Sequence, residues 1–186
     1  MNRAALRRFL HVGTSSILLI GLLADWQTFR LAVHVLLGVA VVGEGLRLGH
    51  AGFRSALARA FPVFRPEESV RLSGAFWLVV GYTVASWVPF PGPPAGVLAA
   101  AFADPAASIV GTRWGGGGGT EAGRKSWVGT VAAWAAAAAV LMSLRLPLHA
   151  ALAGAFAAAV AERVPRPFDD NLVVAPAVAA VTWLLV

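Results

Sequence analysis

The chain has 186 residues, of which 58% are hydrophobic and 13% charged, with a formal net charge of +6. Soluble domains carry about 25% charged residues. The lower share here, a mean hydropathy of +0.73 and the gathering of apolar residues into long runs exclude an ordinary soluble domain and indicate an all-α integral membrane protein. The absence of cysteine excludes disulfides and thiolate metal sites. The positive charge is almost all arginine placed between apolar runs, a pattern of membrane topology and anionic-lipid attraction that argues against nucleic acid as a partner.

The opening stretch, MNRAALRRFLHVGTSSILLIGLLADW, has the basic start and short apolar run of a signal peptide. No small-x-small cleavage site follows before Asp25-Trp26-Gln27, so it is expected to remain as a first helix. About seven transmembrane helices are expected, at roughly 12–24, 31–46, 70–90, 95–112, 127–144, 148–163 and 172–186, several of them shorter than the ~20 residues of a straight span. Between the second and third, residues 47–69 read as a cytoplasmic amphipathic helix on the membrane surface, with Phe53, Leu57 and Phe61 at helical spacing. Residues 112–126 read as a cytoplasmic, glycine-rich basic loop. With the N-terminus in the cytoplasm, all fifteen basic residues except Arg30 and Arg145 fall on the cytoplasmic side, and the C-terminus lies outside. The whole chain, 1–186, reads as a single transmembrane domain.

Of the nine carboxylates, only Asp25 falls on the outer side. Glu44, Glu67, Glu68, Asp104, Glu121, Glu162, Asp169 and Asp170 gather at or near the cytoplasmic ends of spans. Positive-inside sorting does not require this, because carboxylates contribute little to topology. Surface ion pairs account for Glu67, Glu121 and Asp169. Taken together with the arginines, the cluster is also what a site for Mg²⁺ and phosphate needs. The tryptophans at span ends, among them Trp26, Trp87 and Trp127, form an interfacial belt. The alanine-rich runs let helices pack closely in lipid and permit a homodimer.

Asp104 lies midway along an apolar run, where an ionised carboxylate costs a few kcal/mol or more unless paired or hydrated. It is expected to face the bundle interior, beside a helix loosened by Pro105. The stretch GTRWGGGGGTEAGRKS follows. Gly118 and Gly123 have Walker A spacing, but Arg124 intervenes before Lys125-Ser126 and no strand precedes the loop, so a Walker A motif is excluded. A glycine-rich backbone can still approach phosphate, with Arg113, Arg124 and Lys125, the sole lysine, to neutralise it. The five consecutive glycines alone are a linker. Glu162 ends one span, and Asp170-Asn171 opens the last, where either residue serves as a helix cap. Glu44 and Arg47 are one helical turn apart and able to pair. His34 reads as a packed, hydrogen-bonded histidine.

ADPAASIVGTRWG, GRKSWVGT and AERVPRPFDDN, in that order and separated by apolar spans, resemble the polyprenol and diacylglycerol kinase family, which includes dolichol kinase, phytol kinase and the CTP-dependent diacylglycerol kinase. RRFLH, EGLR and RPEES match its N-terminal pattern, so the resemblance covers nearly the whole chain. It implies a membrane enzyme of the cytoplasmic (inner) membrane, its active site facing the cytoplasm, that moves the γ-phosphate of CTP to a membrane lipid alcohol: a polyprenol, phytol or diacylglycerol. By matching positions, Asp104, Lys125, Glu162 and Asp170 would be catalytic, with Asp104, Asp170 and Glu162 on Mg²⁺. Gly111, Arg113, Gly115, Arg124, Lys125, Ser126 and Asn171 would hold the nucleotide. Arg8, His11, Glu44, Arg47, Arg65 and Glu68 would support the site or the acceptor. The family often reads KSWEG, whereas Val128 stands here in place of the glutamate. Two alternatives are a cytidylyltransferase forming a CDP-lipid, which uses the same metal logic but whose serine-proline-lysine-lysine run is missing here, and a small lipid transporter or flippase. The chain shows none of the internal repeats typical of transporters.

Overall fold

The structure, a computed structural model, describes residues 3–115, 125–163 and 169–186. Among these residues there are nine α-helices and no strands. Helix α1 (Arg3–Gly13) passes through a 3₁₀ turn at Thr14–Ile17 into α2 (Leu18–Leu23). Asp25 then caps α3 (Trp26–Gly49), accepting from the backbone N–H groups of Gln27 and Thr28 at 2.8 Å each. The remaining helices are α4 (Ala51–Ala60), α5 (Gly74–Ala85), α6 (Gly92–Trp114), α7 (Trp127–Ser143), α8 (Leu148–Glu162) and α9 (Asp170–Leu184).

Three stretches are long and apolar enough to cross a membrane: Ala4–Leu23, Trp26–Gly49 and Gly92–Trp114. The 24 residues of α3 reach about 36 Å, more than the ~30 Å of a hydrocarbon core. This helix leaves Leu31, Val35, Val39 and Val42 exposed. In water such a face would be unstable; against lipid it is the expected surface. The long apolar helices and their exposed faces point to membrane association.

Several boundaries differ from those expected. The third apolar run forms a helix of only 12 residues, α5. Ser73 caps its start by accepting from Phe76 N–H at 3.2 Å, and the prolines at 89 and 91 forbid its continuation. The helix expected over 47–69 is shorter, because the buried Glu44–Arg47 pair holds the last turn of α3 as far as Gly49 and α4 ends at Ala60. The glycine-rich loop starts at Gly115 rather than 112, because α6 runs unbroken through Pro105 to Trp114. Helix α9 opens at Asp170, capped by Asp169 and not by Asp170 or Asn171.

Helices α6, α7, α8 and α9 pack around a common core, with α5 against α9, α3 against α5, and α1 against α6. That core is mainly alanine and valine: Ala99, Ala103, Ala133, Ala137, Ala155, Ala175 and Val178 are fully buried. Small side chains bring backbones close, which is how helices associate when lipid weakens the hydrophobic drive. At Gly81 of α5, a Cβ would sit 2.6 Å from the carbonyl oxygen of Asn171, so only glycine lets α5 meet the start of α9. Because α6 to α9 alternate in direction, the end of α6, the start of α7, the end of α8 and the start of α9 converge. At the opposite end, His149 Nε2 donates to Leu185 O at 3.1 Å. There too, Arg30 Nε donates to Ser86 O at 3.0 Å, and Trp87 Nε1–H donates to His34 Nε2 at 3.2 Å.

Candidate active site

The convergent end of the bundle holds a lysine between two carboxylates. Lys125 precedes α7 and donates from Nζ to Asp170 Oδ2 at 2.6 Å. The same nitrogen is 3.3 Å from Glu162 Oε1. Glu162 closes α8 and is buried, and its second oxygen, Oε2, has no hydrogen-bond partner among the described residues. Such an orphaned buried oxygen is costly and asks for a ligand. The charges of Asp170 and Asp104 also reach Glu162, and the charge of Arg65 reaches Asp170. Burial pulls the Lys125 ammonium towards neutrality, but Asp170 and then Glu162 outweigh it and hold its pKa above the ordinary lysine value. Lys125 is therefore a fixed cation at any physiological pH.

The start of α9 is built to face this lysine. Asp169 Oδ1 accepts from Asn171 N–H at 3.0 Å and from its side-chain Nδ2 at 2.7 Å. Burial, and next the neighbouring Asp170 charge, push the Asp169 carboxyl above its ordinary range. Asp169 is thus a positioning cap and not the surface ion-pair partner its sequence suggested.

Helices α6 and α7 meet at Gly111, where a Cβ would come 2.9 Å from Ser126 Oγ. That hydroxyl caps α7 by accepting from Gly129 N–H at 3.0 Å. Gly111, Gly115 and Ser126 are therefore the contact that places Lys125 at the mouth of the bundle. Arg113 lies on exposed helix surface against Trp114, its guanidinium 5.2 Å from the ring centroid, and makes no contact with the lysine cluster. Arg124, Glu121, Gly118 and Gly123 lie outside the described residues. Val128 is exposed on the first turn of α7.

Asp104 is one-third exposed, with Oδ2 3.8 Å from His11 Nδ1. His11 Nε2 donates to Ala100 O at 3.1 Å, so Nε2 carries a hydrogen and Nδ1 is the nitrogen left facing the carboxylate. Arg8 turns away and donates from Nε to Ser108 Oγ at 3.1 Å, tying α1 to α6. Its neighbour Arg7 is the residue that points inward. Arg7, Leu10, His11 and Thr14 follow helical spacing on one face of α1, and all four line a cavity of about 110 Å³. Leu10, Val63, Phe64 and Leu78 give that cavity an apolar side, and Arg7, His11, Glu68 and Asn171 a polar one. Arg7 was not singled out from the sequence, although its i, i+3, i+4, i+7 relation to His11 and Thr14 was readable.

The remaining N-terminal residues are architectural supports. Arg47 donates from Nε to Glu44 Oε1 at 3.1 Å, from Nη2 to Glu44 Oε2 at 2.5 Å, from Nη2 to Arg71 O at 2.6 Å, and from Nη1 to Glu68 O. Glu44 also accepts from Ser73 Oγ at 2.8 Å. Glu68 accepts from Arg65 N–H at 2.7 Å and from Gly74 N–H at 2.9 Å. Together they fasten the 65–74 segment as a wall of the cavity.

Among the described residues, no three histidine, aspartate or glutamate side chains converge into a metal-binding group. Magnesium, however, is commonly held by only one or two carboxylates together with substrate phosphates. Glu162 Oε2, a buried hard oxygen without a partner among the described residues, is the kind of atom such an ion takes. Comparison of the chain with family models, with curated proteins and with solved structures found no match.

Proposed function

We propose that the protein is a CTP-dependent lipid-alcohol kinase, transferring the γ-phosphate of a nucleotide to the hydroxyl of a membrane lipid such as a polyprenol, phytol or diacylglycerol. One observation carries this reading. A permanently charged lysine, clamped by Glu162 and Asp170, sits at the same end of the bundle as a cavity with one apolar and one polar side. The resemblance of the ordered ADPAASIVGTRWG, GRKSWVGT and AERVPRPFDDN stretches to the polyprenol and diacylglycerol kinases supports it. We further propose that the shorter helices α5, α7, α8 and α9 complete seven spans in the inner membrane. The N-terminus and the lysine end would then lie in the cytoplasm, where arginine is densest.

Phosphoryl transfer asks the protein mainly for positioning and charge stabilisation. In this reading Lys125 neutralises the terminal phosphates, and Asn171 orients them from the start of α9. Asp170 and Glu162, with Asp104 nearby, would hold magnesium. Bound there, the ion would supply positive charge to stabilise the transferred phosphoryl group. The alcohol enters between α1, α5 and the 63–74 segment. The cavity is smaller than the roughly 300–1,000 Å³ that encloses a whole ligand, so it takes the hydroxyl end while the tail stays among helices and lipid. Asp104 accepts the hydroxyl proton, because it is partly exposed and faces His11, whereas Glu162 is buried against the lysine. Arg7 and Asn171 stand beside the path of the transferred group.

The test is label transfer by the purified protein in lipid, with CTP labelled at the α- or γ-phosphate and a panel of lipid alcohols plus phosphatidic acid. Label passing to an alcohol from the γ-position only, and lost in Asp104→Asn, is the expected result. Label passing from the α-position to phosphatidic acid would make the protein a cytidylyltransferase. Transfer to no lipid from any nucleotide would end the enzyme reading.

A further inference from the structure

A second cavity, of about 190 Å³, lies between the end of α3, α4 and the 64–69 segment. Arg47, Arg54 and Arg65 line it together with Ala58 and Phe64. The three arginines differ in what they have left to offer. Arg47 is buried, and its donors are taken by Glu44 and by the carbonyls of Glu68 and Arg71. Its guanidinium also lies 5.3 Å from the centroid of the Phe64 ring. Arg54 is half-buried on α4 and Arg65 is exposed. Arg47 is neutralised by Glu44 at 2.5 Å, whereas Arg54 and Arg65 stand on the more open side of the cavity. Two guanidiniums on one concave surface repel each other, and a bidentate oxyanion relieves that repulsion.

The position of the cavity indicates what kind of anion it meets. Helix α3 is one of the three helices long and apolar enough to cross a membrane. It ends at Gly49, the backbone turns extended at His50, and α4 sets off in a new direction. The flanking residues Leu46, Leu48, Phe53 and Phe61 all expose their side chains. Exposed leucine and phenylalanine beside arginine at the end of a long apolar helix is the surface of a segment lying at headgroup depth.

We propose that this cavity binds the phosphate of an anionic phospholipid. Arg54 and Arg65 hold the phosphate oxygens, Arg47 fixes the back wall, and the acyl chains lie along Phe53 and Leu46. The site shares Phe64 with the smaller cavity on the α1 side but does not rest on the proposed kinase activity.

The experiment uses the full chain in a neutral detergent, with thermal unfolding followed while short-chain phosphatidylglycerol is added. Parallel titrations use short-chain phosphatidylcholine, inorganic phosphate and glycerol 3-phosphate. The expected result is a saturable rise in melting temperature with phosphatidylglycerol alone, weakening as sodium chloride is raised. Arg54→Gln should weaken apparent affinity by at least about fivefold, while Arg145→Gln, at the other end of the bundle, leaves it unchanged. If Arg54→Gln fails to fold, Arg54→Glu and Arg54→Lys are compared, and the lysine variant must bind phosphatidylglycerol more tightly. An equal response to phosphatidylcholine, or full affinity in the Arg54 variants, would overturn the proposal. An equal response to the free phosphates would show a small-anion site and overturn the lipid assignment.

Discussion

Replacing Lys125 with methionine tests the centre of the site most directly. The side chain keeps its length and loses its ammonium, so the buried Glu162 and the half-buried Asp170 face each other without the cation that sits 3.3 Å and 2.6 Å from them. Removing one partner of a buried ion pair costs about 3–5 kcal/mol. Lys125 is 30% exposed and water reaches the vacated space, so the expected cost is lower, about 2–3 kcal/mol. At roughly 2–4 °C per kcal/mol for a chain of this size, the melting temperature in detergent should fall by roughly 4–12 °C. Adding Glu162→Gln to the same chain removes the uncompensated charge and should restore most of the loss, as a double-mutant cycle would read it. The proposed phosphoryl transfer should be lost in the single and the double variant alike. Because the Lys125 pKa is raised in the folded protein, its contribution to stability is fully present below the unfolded lysine value of about 10.4 and disappears as pH rises through the folded value. The gap in melting temperature between wild type and Lys125→Met should therefore be flat from neutral pH to about pH 10 and close above it. An unchanged melting temperature in Lys125→Met would refute this account of the lysine.

Other substitutions probe the supports. Asp169→Ala should cost about 1 kcal/mol through loss of the α9 cap. Asp169→Asn should be at least as stable as wild type, since it keeps an acceptor for Asn171 N–H and removes a charge next to Asp170; chemical denaturation in detergent would read both. Gly81→Ala places a methyl 2.6 Å from Asn171 O, and the displaced α9 should cost about 1–3 kcal/mol by the same measurement and lower transfer activity. Arg47→Ala leaves Glu44 buried beside Ser73 with no counter-charge. It should destabilise by about 3–5 kcal/mol, whereas Glu44→Gln with Arg47→Met should recover part of that in thermal melts.

Much of the site's membership could be read from the chain, because the residues involved are chemically conspicuous where they stand. A lone lysine beside a serine, a glutamate ending an apolar run and an Asp-Asp-Asn opening another each stand out against alanine and valine, and the structure brings Lys125, Glu162, Asp170 and Asn171 to one end of the bundle. The sorting of roles was less readable. Glu44, Arg47 and Glu68 are as charged as Asp170, but their polar atoms are occupied by Ser73, Gly74 and backbone carbonyls. The resemblance implies that Gly111 and Gly115 hold the nucleotide; in the structure they let α6 approach Ser126.

Composition and periodicity by themselves determined an all-helical chain with long apolar helices and arginine at their ends, since helix formation and membrane association depend on local properties summed along each segment. Which of two adjacent arginines faces inward, which carboxylate is left with an orphaned oxygen, and that Asp169 caps while Asp170 meets the lysine were decided only when α1, α5 and α9 packed. Those outcomes depend on the rotation of each helix about its axis. That rotation follows from contacts such as Gly81 against Asn171, between residues far apart in sequence.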